Sequence, residues 1–145
     1  MLNIMIKNIF DPGNYSPKIN LVLLILRITV GAFMLSHGAG KFSKLIGDDP
    51  VKFADPVGVG VIASLALTVF AEVFCSLFLI FGIATRLAAI PLLITMLVAV
   101  LIVHINDGFG KLELPLLYSM VYLAIVIAGA GIFSVDSWIY KKINS

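Results

Sequence analysis

Two ionisable residues lie inside long apolar segments of the chain. Arg27 is the one charged residue between positions 19 and 36, and Glu72 is the one between positions 57 and 85. Charges within membrane-spanning helices are costly, so they mark a functional site or a charge pair. Counted from the expected helix ends at about 1.5 Å per residue, both residues lie about 12–15 Å from the same membrane face. We therefore expect a buried ion pair between Arg27 and Glu72 on adjacent helices.

The residues around this pair favour close contact between the two helices. Ser64, Thr68, Glu72 and Ser76 recur every four residues and form a polar stripe. Glycines at 31 and 38 on the other helix allow a close approach. Such a pair either lines a polar cavity or proton relay, or it serves only to fix the order of the helices.

A second group of polar residues is expected together at the outer end of the bundle. Its members follow or begin apolar segments: His37, Lys41, His104, Asp107 and Glu113. Tyr118 and Tyr122 share one helical face and would extend this polar path inward. The group could bind an anion or a polar headgroup or move protons, or its members could simply lie at headgroup level. The spacing predicts no metal site, because no histidine pair has ligand spacing.

The composition restricts the class of protein that can carry these residues. The 145 residues are 61% hydrophobic and 12% charged, and the mean hydropathy is +1.11. So few charges exclude an ordinary soluble enzyme, a disordered chain and a nucleic-acid-binding module. The single cysteine, Cys75, excludes an internal disulfide and any dithiol mechanism within this chain.

Four apolar runs predict the elements that position the candidate residues. The expected spans are 19–36, 57–85, 87–103 and 114–135. They do not alternate polar and apolar residues as barrel strands do, so each is expected to be a helix. The tail after Gly131 and the segment 1–18 are expected to form short interfacial helices. The sequence therefore predicts an all-α integral membrane four-helix bundle in which residues 1–145 form a single domain.

Four spans place both termini on one side of the membrane. Five cations lie outside the spans on that side and four on the other. This difference favours cytoplasmic termini by the positive-inside rule.

The order of these features resembles the DoxX family of small membrane proteins. The resemblance covers most of the chain and rests on an ordered set of short motifs. These are Leu-Arg at 26–27, His-Gly-Ala-Gly-Lys-Phe at 37–42, Ala-Glu at 71–72, Phe-Gly-Ile-Ala-Thr-Arg at 81–86, His104 with Asn-Asp-Gly-Phe at 106–109, Glu113, Gly-Ala-Gly at 129–131 and Ser-Val-Asp at 134–136. The loop at 43–57 looks shorter than in many members, and Gly-Ala-Gly stands where Gly-Pro-Gly is usual.

The resemblance implies a four-helix bundle in the bacterial inner membrane and a role within membrane oxidoreductase systems. It also implies that the family's polar positions form a shared site; these are Arg27, His37, Lys41, Glu72, Arg86, His104 and Glu113. Our leading hypothesis is a subunit that binds a quinone or small lipophilic ligand, with Tyr118 among the ligand contacts. No residue is assigned a catalytic role.

Two other functions stay open, and each implies its own partners. One is a membrane anchor or assembly partner without chemistry, and the other is a small transporter, which would favour a homo-oligomer. The chain carries no haem-type histidine pair and no flavin or dinucleotide motif. A redox role would therefore need electrons from a partner subunit. We expect no covalently bound cofactor in this chain.

Overall fold

The computed structural model describes residues 7–144, and within that range every regular element is helical. We number the helices α1 (Pro17–Ile46), α2 (Val61–Phe81), α3 (Thr85–Val103), α4 (Phe109–Ala128) and α5 (Val135–Asn144). The first four are long and apolar enough to cross a membrane. The predicted fold class, an integral membrane bundle of four helices, is confirmed.

The two predicted interfacial helices are only partly covered by the described residues. The C-terminal one is α5, whose first turn is capped by the Ser134 hydroxyl accepting from the Ser137 amide at 3.1 Å. Of the expected N-terminal segment 1–18, residues 1–6 lie outside the described range. Residues 7–10 are helical.

The helix ends differ from the hydropathy limits because local chemistry sets them. Helix α1 begins at Pro17 behind the Ser16 cap and continues ten residues past Ser36, to Ile46. Helix α2 stops at Phe81 because Gly82 adopts a left-handed conformation with φ 71°, which glycine accepts without strain. Helix α4 begins before its predicted start and ends at Ala128.

The bundle interior is packed with apolar side chains, and its outer faces are also apolar. Leu65, Leu79 and Leu92 are fully buried between the helices, and Tyr122 is buried with them. Large apolar residues such as Leu67 and Ile94 are more than half exposed around the bundle. A water-soluble fold would leave few such residues exposed in continuous bands, whereas a bilayer accepts them.

We name the two ends of the bundle by what lies there. The terminal end comprises residues 7–16, the turn at 82–84 and residues 129–144, with the helix residues that adjoin or contact them, including Lys18, Arg27 and Arg86. The cavity end comprises the loop at 47–60 and the loop at 104–108, with the helix turns beside them. Each end carries its own cluster of polar side chains, and the two clusters make different kinds of contact.

Candidate functional site

A cavity of about 500 Å³ lies at the cavity end, between all four spanning helices. Part of the loop at 47–60, including Phe53 and Pro56, covers it. Its apolar walls include Met34, Met96, Val98, Val103 and Leu114. Its polar lining includes His37, Lys41, Thr68, Glu72, Thr95, His104, Lys111 and Tyr118. A concave apolar space of this volume with a few polar groups is typical of a small-molecule site.

The charge pair of the cavity is formed by Lys41 and Glu72. The Lys41 Nζ donates to both carboxylate oxygens, at 2.5 Å and 2.7 Å. The Glu72 side chain is 2% exposed, whereas the Lys41 side chain is 30% exposed. The carboxylate therefore lies in the cavity wall with its charge compensated, and the ammonium faces the open space. One of the three ammonium hydrogens remains for another acceptor.

Close helix packing holds Glu72 beside α1. A methyl group added at Gly38 would lie 2.9 Å from Glu72 Cβ and 2.8 Å from Val73 Cγ2. Only glycine permits that approach, which brings Lys41, three residues further along α1, within reach of the carboxylate. Glu72 itself lies in a π-helical turn, Phe70–Cys75, within α2. Such turns insert one extra residue and often occur at functional sites.

A second π-helical turn borders the same cavity. It spans Ala99–Val103 at the end of α3 and precedes His104 directly. The His104 Nδ1 and Asp107 Oδ2 lie 2.8 Å apart, and the Lys111 Nζ lies 3.5 Å from the same oxygen. The hydrogen bond with His104, followed by the charge of Lys111, lowers the pKa of the exposed Asp107 carboxyl. The cavity mouth is thus edged by a small hydrogen-bonded cluster.

Three aromatic rings lead from the mouth into the bundle. His37 meets Tyr118 edge to face, with ring centroids 6.5 Å apart. Tyr118 stacks on Tyr122 at 5.9 Å. The Tyr122 hydroxyl is buried and has no hydrogen-bond partner among the described residues. The predicted inward path along α4 is therefore a continuous aromatic row, and only its outer members line the cavity.

The expected pairing of Arg27 with Glu72 is wrong. The Arg27 guanidinium donates to the Ala130 carbonyl at 3.1 Å and to the Phe133 carbonyl at 2.8 Å. It lies against Gly82 at the terminal end, since an added methyl group there would meet it. The expected depths required Ile19 and Gly82 to lie level, but Gly82 lies level with Arg27 instead. Glu72 is ten residues before Gly82 on α2, so at about 1.5 Å per residue it lies about 15 Å from Arg27 along the bundle.

The charged groups at the terminal end bind backbone atoms. The Asp136 carboxylate accepts from the Ala84 and Thr85 amides, at 2.6 Å and 2.8 Å, and so caps α3. The Arg86 guanidinium donates to the carbonyls of Val126 and Ile127 near the end of α4, at 3.0 Å and 2.6 Å. Free amides and carbonyls at helix ends need such partners. Arg27 and Arg86 therefore hold the terminal end together.

Five of the seven residues proposed for ligand binding line the cavity: His37, Lys41, Glu72, His104 and Tyr118. Arg27 lies at the terminal end, and Glu113 is exposed on α4 outside the lining. Thr68, expected on the polar stripe with Glu72, also lines the cavity, whereas sequence reasoning missed Lys111 and Thr95 as lining residues. Lys111 could have been found from its place between His104 and Glu113. In residues 7–144, no group of three or more His, Cys, Asp and Glu side chains could hold a metal ion.

The fold and the cavity define a multi-pass helical membrane protein with a polar-lined pocket at one end. Comparison with known proteins is consistent with this class. The chain belongs to the DoxX family, whose profile matches residues 22–105. The resemblance seen in the sequence motifs is thereby confirmed.

Two curated relatives illustrate the similarity. An uncharacterized protein of Haemophilus influenzae is 33% identical over 128 residues, which are 83% of this chain and 92% of that protein. A Bacillus subtilis protein named "Putative oxidoreductase CatD" is 23% identical over 119 residues, 81% of this chain and 87% of its own. No solved structure matches the chain significantly.

Proposed function

We propose that the protein is a bacterial inner-membrane subunit of an oxidoreductase system that binds a quinone-class molecule in the cavity, with its termini in the cytoplasm. The observation that carries the proposal is the cavity of about 500 Å³, in which the Lys41–Glu72 pair lies between mainly apolar walls. The word oxidoreductase in the name of the Bacillus subtilis relative supports the redox part.

The lining chemistry suits a flat ring that carries carbonyl oxygens and an apolar tail. The Lys41 ammonium and the Tyr118 hydroxyl are the donors placed to meet carbonyl oxygens. The Tyr118 ring, which lines the cavity and stacks on Tyr122 behind it, offers an aromatic surface for the ring of the ligand. The tail would follow Val103 and Leu114, both 40% or more exposed on the lipid-facing side.

Proton handling would fall to the ionisable side chains of the cavity. Reduction of a quinone consumes two electrons and two protons, and the electrons would come from a partner subunit. Glu72 with Lys41 would exchange protons with the bound head, and His37 and His104 would connect that pair to water at the mouth.

Binding of a short-chain quinone such as decylubiquinone to the purified protein in nanodiscs tests the proposal. Wild-type protein is expected to bind, and Glu72→Gln to bind at least about tenfold more weakly, because the Lys41 donor loses the carboxylate that positions it at the cavity wall, and a hydrogen bond to a charged group contributes about 1.5–3 kcal/mol. Glu113→Gln is the matched control, since this exposed carboxylate lies outside the lining. It should bind as the wild type does.

Two results would contradict the proposal. The first is a folded wild-type protein that binds no quinone, which would leave Lys41–Glu72 as a structural pair and favour an anchor or assembly role. The second is an equal loss of binding in Glu72→Gln and Glu113→Gln, which would place the ligand outside the cavity.

A further inference from the structure

The two ends of the bundle carry opposite net charge. Among the described side chains, the terminal end has six cations and two carboxylates, whereas the cavity end has four cations and six carboxylates. The terminal-end cations are Lys7, Lys18, Arg27, Arg86, Lys141 and Lys142, and its carboxylates are Asp11 and Asp136. The earlier count of lysine and arginine outside the spans shows only a small part of this charge difference, because it leaves out the carboxylates.

The carboxylates of the terminal end are turned toward the protein. Asp136 is 1% exposed and caps α3. Asp11 is half-buried and accepts from the Gly13 amide at 2.9 Å. By contrast Lys18, Lys141 and Lys142 are exposed. Among the described residues of this end, every charged side chain that is fully exposed is therefore a cation.

Helix α5 has the form of a surface helix. Asp136 and Ser137 are buried against the bundle, whereas Trp138 is 64% exposed and Lys141 lies on the open side. The Lys142 Nζ lies 5.3 Å from the centre of the Trp138 ring. An exposed tryptophan next to lysines is typical of a helix at the headgroup level of a membrane. Only six residues separate α5 from the end of α4, so the bilayer surface is within reach.

We infer that α5 and the start of α1 form a docking surface for anionic phospholipid headgroups. The occupant follows from charge complementarity: the surface presents Lys18 and Lys141, no carboxylate among the described residues of this end is exposed, and the surface lies where a spanning helix leaves the bilayer. Each lysine near an anionic membrane surface strengthens binding about fivefold, and salt weakens the effect. This inference does not depend on the cavity or on its ligand.

The single tryptophan of the chain makes the surface directly observable. The protein is placed in vesicles of equimolar phosphatidylcholine and phosphatidylglycerol, with bromine on the acyl chains of only one of the two lipids. Bromine quenches tryptophan on contact, so the ratio of the two quenching levels reports which lipid surrounds Trp138. We expect brominated phosphatidylglycerol to quench more strongly at low salt and the difference to shrink at high salt.

Paired variants locate the effect. Lys18→Gln with Lys141→Gln should lower the preference for phosphatidylglycerol about fivefold or more. Lys44→Gln with Lys52→Gln removes the same charge from exposed positions at the cavity end and should leave the preference unchanged. Burial of Cys75 against a thiol-reactive dye checks that each variant is folded.

Three results would overturn the inference. Equal quenching by both brominated lipids in the wild type would show that the surface does not select charge. Quenching by neither would mean that something other than lipid covers α5. If the preference for phosphatidylglycerol fell as far in the cavity-end variant as in the terminal-end variant, it would follow from the net charge of the whole protein and not from this surface. If the terminal-end variant failed to fold, the salt dependence of the wild type would decide.

Discussion

Substitution of Gly38 by alanine tests the packing that places Glu72 in the cavity wall. The new methyl carbon would lie 2.8 Å from Val73 Cγ2, 2.9 Å from Glu72 Cβ and 3.0 Å from the Glu72 carbonyl carbon. Ordinary contacts begin at 3.4 Å. Because one of the three neighbours is backbone of the π-helical turn, rotation of a side chain cannot relieve the overlap. Helices α1 and α2 must move apart.

The expected size of the effect is the difference between two opposing terms. Overpacking of this kind costs about 1–3 kcal/mol. Alanine also favours the helix over glycine by about 1 kcal/mol. The net loss in the free energy of unfolding is therefore about 0–2 kcal/mol, which lowers Tm by up to about 6 °C for a chain of this length.

Gly40 on the same helix supplies the matched control. A methyl group added there meets no atom within 4 Å. Gly40→Ala should therefore keep only the helix-propensity gain and raise Tm by at most about 3 °C.

The free Cys75, 3% exposed in the core, provides the assay. A dye that becomes fluorescent on reacting with thiols reports unfolding in detergent as this cysteine becomes accessible. If Gly38→Ala and Gly40→Ala melted at the same temperature, the close contact between α1 and the π-helical turn would be refuted. The contact at Gly38 would then not be what brings Glu72 within reach of Lys41.

Three further substitutions probe the charged groups. Lys41→Met leaves a 2% exposed carboxylate unpaired and should cost about 3 kcal/mol in thermal or denaturant unfolding, whereas Lys44→Met should cost at most about 0.5 kcal/mol; equal losses would contradict the pair. The losses from Arg27→Ala and Glu72→Ala should add within about 0.5 kcal/mol in the double variant, because the two side chains have separate partners; partial recovery would mean that they touch. The Ser64 hydroxyl and then the Gly60 amide lower the pKa of Asp55 below its usual 3.8, so its stabilisation is present above that value and lost as pH falls through the lower folded-state pKa. Asp55→Asn should therefore melt at a lower temperature than the wild type at neutral pH, and the difference should disappear under acid; a difference independent of pH would argue against hydrogen bonds to an ionised Asp55 carboxylate.

Hydropathy predicted the four spanning helices because each must cover about 30 Å of hydrocarbon with apolar residues. It did not predict where α1 ends. The residues from His37 to Ile46 are too polar for the bilayer core but continue the helix, and they carry Lys41 into the cavity. The second group of polar residues was expected together at one end of the bundle, because the ends of the apolar segments are visible in the sequence. Which of its members face inward was not visible, and Glu113 faces away.

The failed pairing of Arg27 with Glu72 has a specific physical cause. Relative depth was measured from hydrophobic edges, whereas the actual register of α1 on α2 is set by contacts of single glycines. Gly31 packs against Ile80, and Gly38 packs against Glu72. These contacts fix the register of one helix along the other. Neither the composition nor the periodicity of the sequence predicts that register. The two π-helical turns were also missed, since their sequences are ordinary apolar helix sequences.

The bonds of Arg27 also bear on how the chain is made. Its acceptors lie 103 and 106 residues further along the sequence. Synthesis proceeds from the N-terminus, so α1 enters the membrane with a guanidinium whose two carbonyl acceptors are translated only after α4. Until Ala130 and Phe133 have been made, that cation lacks both of these acceptors. A ribosomal product that stopped short of them would carry an uncompensated arginine in α1.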